Sequence, residues 1–453
     1  IQITPPGYNL TITQGNFHLE PVSHIGPKPS VDLFFGSLAE DVGDQAVGII
    51  LSGTGSDGSH GIRAIKAAGG ISIAQDEVSA KYNGMPKSAI DTGLVDLICA
   101  PKQIALELSQ IAERLRLKTP TPNTPHERSD LDRIFKLLLR QTDCDFSNYK
   151  TSTLYRRIHR RMTVHKLASL EDYITLLNQS PDEIEMLYKD LLISVTQFFR
   201  DIESYHLLKQ HLMDLVKSYH NKEGPLRVWV PGCATGEEAY SIAMLIDSII
   251  RQEKMPVNYQ IFATDIDNDA LIHARRAVYT INSVQFVDSE MLEHYFSLKD
   301  GAYLVSKAIR ERVVFARHDL VRDPPFSKLD LISCRNVLIY FNSVLQKQVM
   351  NMFHYALNNQ GLLFLGKSES VGQVQNLYAP VDKKVRLFRK QGDSGNLKSI
   401  DFTRGRSLKK SDLPETSGTV SPIEKTIDER LEQVAVVHLL PATVIVDTQY
   451  NVQ

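Results

Sequence analysis

Apolar positions fall in two rhythms along this chain. The stretches 226–230, 259–267, 313–320, 329–341 and 361–366 each carry an unbroken apolar or β-branched run, which predicts strands covered on both faces. A glycine turn at 232–236 follows the first of them, and a helix begins near Glu237. Repeated, this alternation predicts a Rossmann-like sheet whose strand ends gather Gly232, Gly236, Asp265, Asp319 and Asn336 along one edge. Upstream, 129–215 reads as helical, with a 3.6-residue period clearest over 131–139. Still earlier, the apolar runs 46–52 and 71–74 flank a helix through 64–69 and predict a first α/β unit. Polar residues interrupt the pattern at 280–312, and apolar residues become scarce over 391–422, the mark of a flexible linker. A short helical pattern at 423–437 and a strand–turn–strand start at 439–452 close the chain.

Composition narrows this little. At 453 residues the chain should hold about three domains. With 51 basic and 53 acidic residues it has no global field toward nucleic acid or membrane. No apolar run approaches the ~20 residues of a membrane span. Cys99, Cys144, Cys233 and Cys334 lie far apart, without zinc spacing, and no metal is expected. Free thiols without a signal peptide point to the cytoplasm. The chain opens at Ile1 inside a domain-like pattern and reads as an excerpt of something longer.

The turn at 232–236 selects a ligand by charge. Glycines let the backbone turn sharply and let a bound molecule lie against it. No Gly-Lys-Ser/Thr follows, and Glu237 and Glu238 occupy a helix start that a pyrophosphate would need free of acids. A cationic nucleoside such as S-adenosylmethionine fits better. Asp265 ends the next strand, where an acid can accept both ribose hydroxyls, with Asp267 as the competing ligand. Phe198, Phe199, Tyr240 and Tyr340 offer aromatic faces for a sulfonium.

Pro231-Gly-Cys-Ala-Thr-Gly-Glu-Glu-Ala-Tyr-Ser, Ala263-Thr-Asp-Ile-Asp, Cys334-Arg-Asn-Val-Leu-Ile-Tyr-Phe and Ser194-Val-Thr-Gln-Phe-Phe-Arg-Asp together resemble the chemotaxis receptor methyltransferase (CheR) family, over roughly 128–390. The resemblance implies a helical subdomain at 128–200 and a methyltransferase domain at 201–390. It implies transfer of methyl from S-adenosyl-L-methionine to receptor glutamates, leaving S-adenosyl-L-homocysteine. Ser194, Thr196 and Arg200 would reach the methionine end of the cofactor, Glu237 its amino group and Asp265 its ribose. Asp319, Leu320, Arg335 and Asn336 would line the adenine and transfer pocket, with Gly232 and Gly236 in the turn. Arg200 and Tyr340 are the candidates for aligning the acceptor carboxylate. A glutamate of pKa near 4.3 is already a nucleophile at neutral pH, so no general base is needed.

The first unit, 1–116, reads literally as Gly53-x-Gly-x-x-Gly58 after a strand, a dinucleotide fingerprint. Its residues fit another family better. Val47-Gly-Ile-Ile-Leu-Ser-Gly-Thr-Gly-Ser-Asp-Gly and Asn83-Gly-Met-Pro-Lys-Ser-Ala-Ile are similar to the receptor methylesterase (CheB) catalytic domain. There Asp57 would be the acid of a Ser-His-Asp triad whose serine and histidine lie on segments preceding Ile1. Ester hydrolysis is expected only if those segments supply them, and His60 reads as helix surface. Residues 117–127 are a Pro/Thr-rich linker, and 423–453 resemble a helix and the start of a PAS sensory domain.

Arg156/Arg160 and Arg157/Arg161 recur at i,i+4 and predict a basic helix face able to dock an acidic partner helix, such as a methyl-accepting chemotaxis receptor. RNA is a poorer partner, since no stacking aromatics are interleaved. Two other functions stand beside the methyltransferase: a non-catalytic signalling scaffold, and a dehydrogenase using the turn at 53–58.

Overall fold

Strand β1 (Tyr8–Thr13) and strand β2 (Asn16–Pro21) pair antiparallel across a two-residue turn. Gln14 and Gly15 both have positive φ there, the geometry whose twist matches a hairpin. This hairpin was not anticipated. Helix α1 (Val31–Val42), capped by the Ser30 hydroxyl, leads to strand β3 (Val47–Ile50), helix α2 (Ser59–Ala67), strand β4 (Ile71–Gln75), helix α3 (Gly84–Ile90), strand β5 (Leu97–Cys99) and helix α4 (Pro101–Arg116). The strands β3, β4 and β5 form a parallel sheet, as the buried runs predicted. The structure, a computed structural model, describes residues 3–22, 29–116, 125–192, 196–219, 224–284, 287–299 and 301–392, all within one compact unit. Of the linker expected at 117–127, residues 117–124 fall outside the described residues and 125–127 instead open a helix; the linker at 391–422 (beyond 392) and the PAS-like stretch also fall outside them.

Five helices follow: α5 (Pro125–Thr142), α6 (Thr151–Val164), α7 (Leu170–Gln179), α8 (Pro181–Leu192) and α9 (Ile202–Ser218). The first four bury one core around Ile134, Phe146, Ile158, Tyr173 and Leu187. The larger domain holds strand β6 (Leu226–Pro231), helix α10 (Glu237–Glu253), strand β7 (Tyr259–Asp265) and helix α11 (Asn268–Arg276). The 280–312 excursion folds as a small antiparallel sheet of strands β8 (Val278–Tyr279), β9 (Phe296–Lys299) and β10 (Ala302–Val305), with helices α12 (Ser289–Tyr295) and α13 (Lys307–Arg310). Strand β11 (Val313–Arg317), strand β12 (Leu329–Cys334), helix α14 (Ser343–Ala356) and strands β13 (Leu357–Leu365), β14 (Tyr378–Asp382) and β15 (Leu387–Lys390) complete it.

The main sheet runs β11-β7-β6-β12-β13-β15-β14, its first five strands parallel. Apolar clusters cover both faces, one around Tyr240 and Ile246, the other around Trp229 and Phe353. All five parallel strands therefore end at one edge, and the turns beyond β6, β7, β11 and β12 meet there. Backbone bonds from Lys150 to Tyr340 (2.8 Å) and from Asn342 to Asn148 (3.1 Å) clamp the helical subdomain onto that edge.

Candidate functional site

A cavity of about 600 Å³ opens over those strand ends. The segment before α9 lends it Thr196 and Arg200, the β6 turn Gly232 and Ala234, and the end of β7 Asp265. Asp319 and Leu320 enter after β11, Arg335, Asn336 and Tyr340 after β12. Nine of the residues singled out from sequence thus converge: Thr196, Arg200, Gly232, Asp265, Asp319, Leu320, Arg335, Asn336 and Tyr340. Ser194 lies outside the described residues. Two predictions need correcting. Gly236 faces away, where a Cβ would meet Ala274 at 2.9 Å and the Tyr279 hydroxyl at 3.1 Å. Glu237 is buried beneath the site, its carboxylate accepting from the Thr235 hydroxyl at 2.7 Å, while its neighbour Glu238 lines the cavity.

The turn after β6 is a cradle that only glycine allows. Gly232 sits at φ +68°, and a Cβ there would lie 2.4 Å from Val337 Cγ2. Asp265 accepts the Ala234 N–H at 2.8 Å and the Asp267 N–H at 2.9 Å, one on each oxygen. Each oxygen keeps a second lone pair for a ligand hydroxyl. Burial is the largest influence on its carboxyl and raises the pKa to about 6. Asp267 instead caps α11, accepting from Asp269 and Ala270 N–H groups. Burial likewise raises the Asp319 carboxyl, which accepts the Val321 N–H at 2.8 Å. These donors and acceptors suit a nucleoside with vicinal hydroxyls. The sulfonium-facing aromatics do not all survive: Phe198, Phe199 and Tyr240 are buried in the core, leaving Tyr340 at the cavity.

Arg335 is committed elsewhere in part. Its guanidinium donates to Asp201 at 2.8 Å and to the Arg200 carbonyl at 3.0 Å, and it stacks over Tyr205 and Phe364. It therefore holds the Arg200 segment in place. Sequence reasoning missed Glu369. That buried carboxylate accepts N–H groups of Asn336, Val337, Leu338 and Gly366 at 2.7–2.9 Å and shapes the whole β12 turn, with Asn336 at φ +60°. A Glu in the polar run 367–370 gave no sign of this.

Residues 194–387 match the family described as CheR methyltransferase, SAM binding domain; 129–192 match its all-alpha domain, and 1–108 match CheB methylesterase. A putative methyltransferase Cher3 of Pseudomonas putida is 31% identical over 256 residues, 54% of this chain and 91% of that protein. Chemotaxis protein methyltransferase 2 of Vibrio cholerae is 31% identical over 269 residues, 58% of this chain and 91% of that protein. The chain belongs to the chemotaxis methyltransferase family. It joins a CheR methyltransferase domain, of a kind that binds S-adenosylmethionine, to a CheB-like domain. An uncharacterized 104.1 kDa protein of Rhodobacter capsulatus is 36% identical over 411 residues, and this chain spans 85% of itself but only 43% of that protein.

In the CheB-like domain Asp57 is a helix cap. Its carboxylate accepts the N–H groups of Val31 (2.7 Å), Asp32 (3.1 Å) and Gly58 (3.1 Å). Among the described residues no histidine reaches it. His60, expected on the helix surface, instead turns toward the CheR domain, its Nε2 lying 2.8 Å from Thr280 Oγ1 and 3.1 Å from Ser283 Oγ. Burial lowers the imidazole pKa to about 4, so at neutral pH His60 is an uncharged hydrogen-bonding group. The turn 53–58 lines no part of the cavity and is tied to the segment after β4. Gly53 bonds Tyr82 and Met85 through its backbone, and a Cβ on it would meet Met85 Sδ at 2.4 Å.

The arginine face of α6 is also corrected. Arg157, Arg160 and Arg161 are 2–5% exposed, and their partners lie within the chain. Arg160 pairs with Asp96 of the CheB-like domain (2.6 Å) and with Asp190; Arg161 pairs with Glu183; Arg157 donates to the Asp190 carbonyl. Lys66 of α2 joins them through Asp96 and Asp190. Arg156 is half-buried beside Gly69. The face expected to dock an acidic partner helix is thus the seam between the two domains.

Among the described residues no helix is long and apolar enough to cross a membrane, and no His/Cys/Asp/Glu group could hold a metal.

Proposed function

We propose that this chain methylates glutamate carboxylates of a chemoreceptor, using S-adenosylmethionine bound in the cavity above β6, β7, β11 and β12. What carries the reading is the convergence of Gly232, Asp265, Asp319, Asn336 and Arg200 from five separate segments onto one cavity. Asp265 would take the ribose hydroxyls, Asp319 and Leu320 the adenine side, and Glu238 rather than Glu237 the ammonium. Thr196 supplies a hydroxyl to the polar tail. When bound, the cofactor supplies an already activated methyl group.

The remaining work is positional. The acceptor glutamate arrives ionised, so the chain need not remove a proton. Arg200 and Tyr340 orient its carboxylate from the side of the helical subdomain. Tyr340 is held by its backbone bond to Lys150 and lies 5.8 Å from the Arg157 guanidinium. Alignment and exclusion of water by these walls are worth roughly 7–11 kcal/mol of barrier. Domain bounds at residues 116, 128, 200 and 390 belong to this reading; separate apolar cores support the division itself, while Phe198 and Phe199 pack with the methyltransferase core and favour a bound before them. Within the described residues the CheB-like domain serves as a wall of the methyltransferase site, and ester hydrolysis would need a serine and a histidine beside Asp57.

The test is transfer of labelled methyl from S-adenosylmethionine to a purified chemoreceptor signalling fragment. Label released as methanol by mild base marks a glutamyl ester and is the expected result. Label that resists base, or no label on a receptor with exposed glutamates, contradicts it.

A further inference from the structure

The cavity contains a cation from an unexpected source. Arg63 of α2, in the CheB-like domain, lines it alongside CheR residues. The helix that carries it is fixed against the CheR and helical subdomains on both sides of Arg63. One turn earlier His60 bonds Thr280 and Ser283, and one turn later Lys66 is paired with Asp96 and Asp190. Steps of three residues keep these side chains on neighbouring stripes of one helix face. Among the described residues no hydrogen bond or ion pair holds the Arg63 guanidinium. Its nearest influences are the carboxylates of Glu237 and Asp267, with burial acting as the larger, opposing effect.

Charge counting gives this cation a purpose. The proposed reaction brings two carboxylates into the cavity, one on the methionine end of the cofactor, whose ammonium and sulfonium face the acids of the site, and one on the acceptor glutamate. Arginines lining the cavity are Arg63, Arg200 and Arg335, and Arg335 is engaged by Asp201. The half-buried guanidinium feels Glu237 and Asp267 only as neighbouring charges, so its donors stay available for an anion that enters the cavity. A planar guanidinium also matches a carboxylate with two parallel hydrogen bonds.

We infer that Arg63 is an anion-binding residue of the methyltransferase cavity, delivered by the CheB-like domain, and that it receives one of these carboxylates. The inference rests on the proposed cofactor reading. It makes the cavity complete only while the two domains are docked.

The experiment compares the full chain with Arg63→Gln, which keeps a polar amide and removes charge, and Arg63→Lys, which keeps charge. Two probes are titrated by calorimetry: S-adenosylhomocysteine, and 5′-methylthioadenosine, the same nucleoside thioether without the amino-acid end. If Arg63 holds the cofactor, Arg63→Gln weakens S-adenosylhomocysteine about 10- to 100-fold, spares methylthioadenosine, and Arg63→Lys recovers most of the loss. If it holds the acceptor, both probes bind as before and the KM for receptor rises by a similar factor, with kcat little changed. Unchanged binding and kinetics in Arg63→Gln overturn the inference. So does tighter S-adenosylhomocysteine binding, or equal loss of both probes, which marks a structural role. A parent chain that binds neither probe would sink the cofactor reading instead.

Discussion

Among the described residues two strand–glycine–helix turns can be compared, and the one at 232–236 opens on the cavity while the one at 53–58 does not line it. The turn at 53–58 is stitched to 82–85 by two backbone bonds of 2.9 Å, and a Cβ on Gly84 would press on the Gly55 amide at 2.9 Å. Its one carboxylate, Asp57, caps α1. The turn at 232–236 is tied to its neighbour strand through Cys233 to Thr264 and Ala234 to Asp265, and to β8 through the Tyr279 hydroxyl on the Thr235 carbonyl (2.7 Å), while its outer side faces the cavity. Glycine spacing therefore marks where a backbone must bend. What lies over the bend decides whether a ligand can use it.

Substitution should separate the two turns. Gly232→Ala combines positive-φ strain, about 1–3 kcal/mol, with a 2.4 Å approach to Val337. Loss of S-adenosylhomocysteine affinity by well over tenfold in calorimetry and a lower Tm are expected. Asp57→Ala should act on stability alone. Three buried amides lose their acceptor, costing about 1–3 kcal/mol in urea unfolding, with S-adenosylhomocysteine affinity unchanged. A smaller effect comes from pH. Asp265 must be ionised to accept two hydroxyls, so affinity should fall up to tenfold per pH unit below its pKa of about 6. Without ligand the sign reverses: ionising this buried carboxyl costs stability as pH rises from 3.8 toward about 6. Affinity that is flat from pH 7.5 to 5 would remove Asp265 from the site. Smallest of all is Gly53→Ala, where the obstructing atom is the flexible end of Met85, and cofactor affinity should not move.

Much of the fold was legible because strands buried on both faces leave unbroken apolar runs, and β6, β7, β12 and β13 read that way. The cavity residues were legible because they sit at strand ends. Three things were not. The α6 arginines read as a dock for an external acidic helix because their own acidic partners, Asp96, Asp190 and Glu183, lie 22 to 64 residues away, and only folding brings them together. Glu237 and Glu238 are adjacent on a helix, so they point apart, and sequence does not say which one meets the cavity. Arg63 belongs to another domain altogether, and its place in the cavity follows from how α2 docks.

The account stands on whether the β6 turn holds a nucleoside through Asp265. The direct measurement is calorimetry of the full chain with S-adenosylhomocysteine, repeated with Asp265→Ala. Losing two charge-assisted hydrogen bonds predicts a fall of about 100-fold or more in a protein that still folds, with a lower Tm because the Ala234 and Asp267 amides lose their acceptor. Equal affinity in the two proteins, or no binding by a folded parent chain, would contradict it.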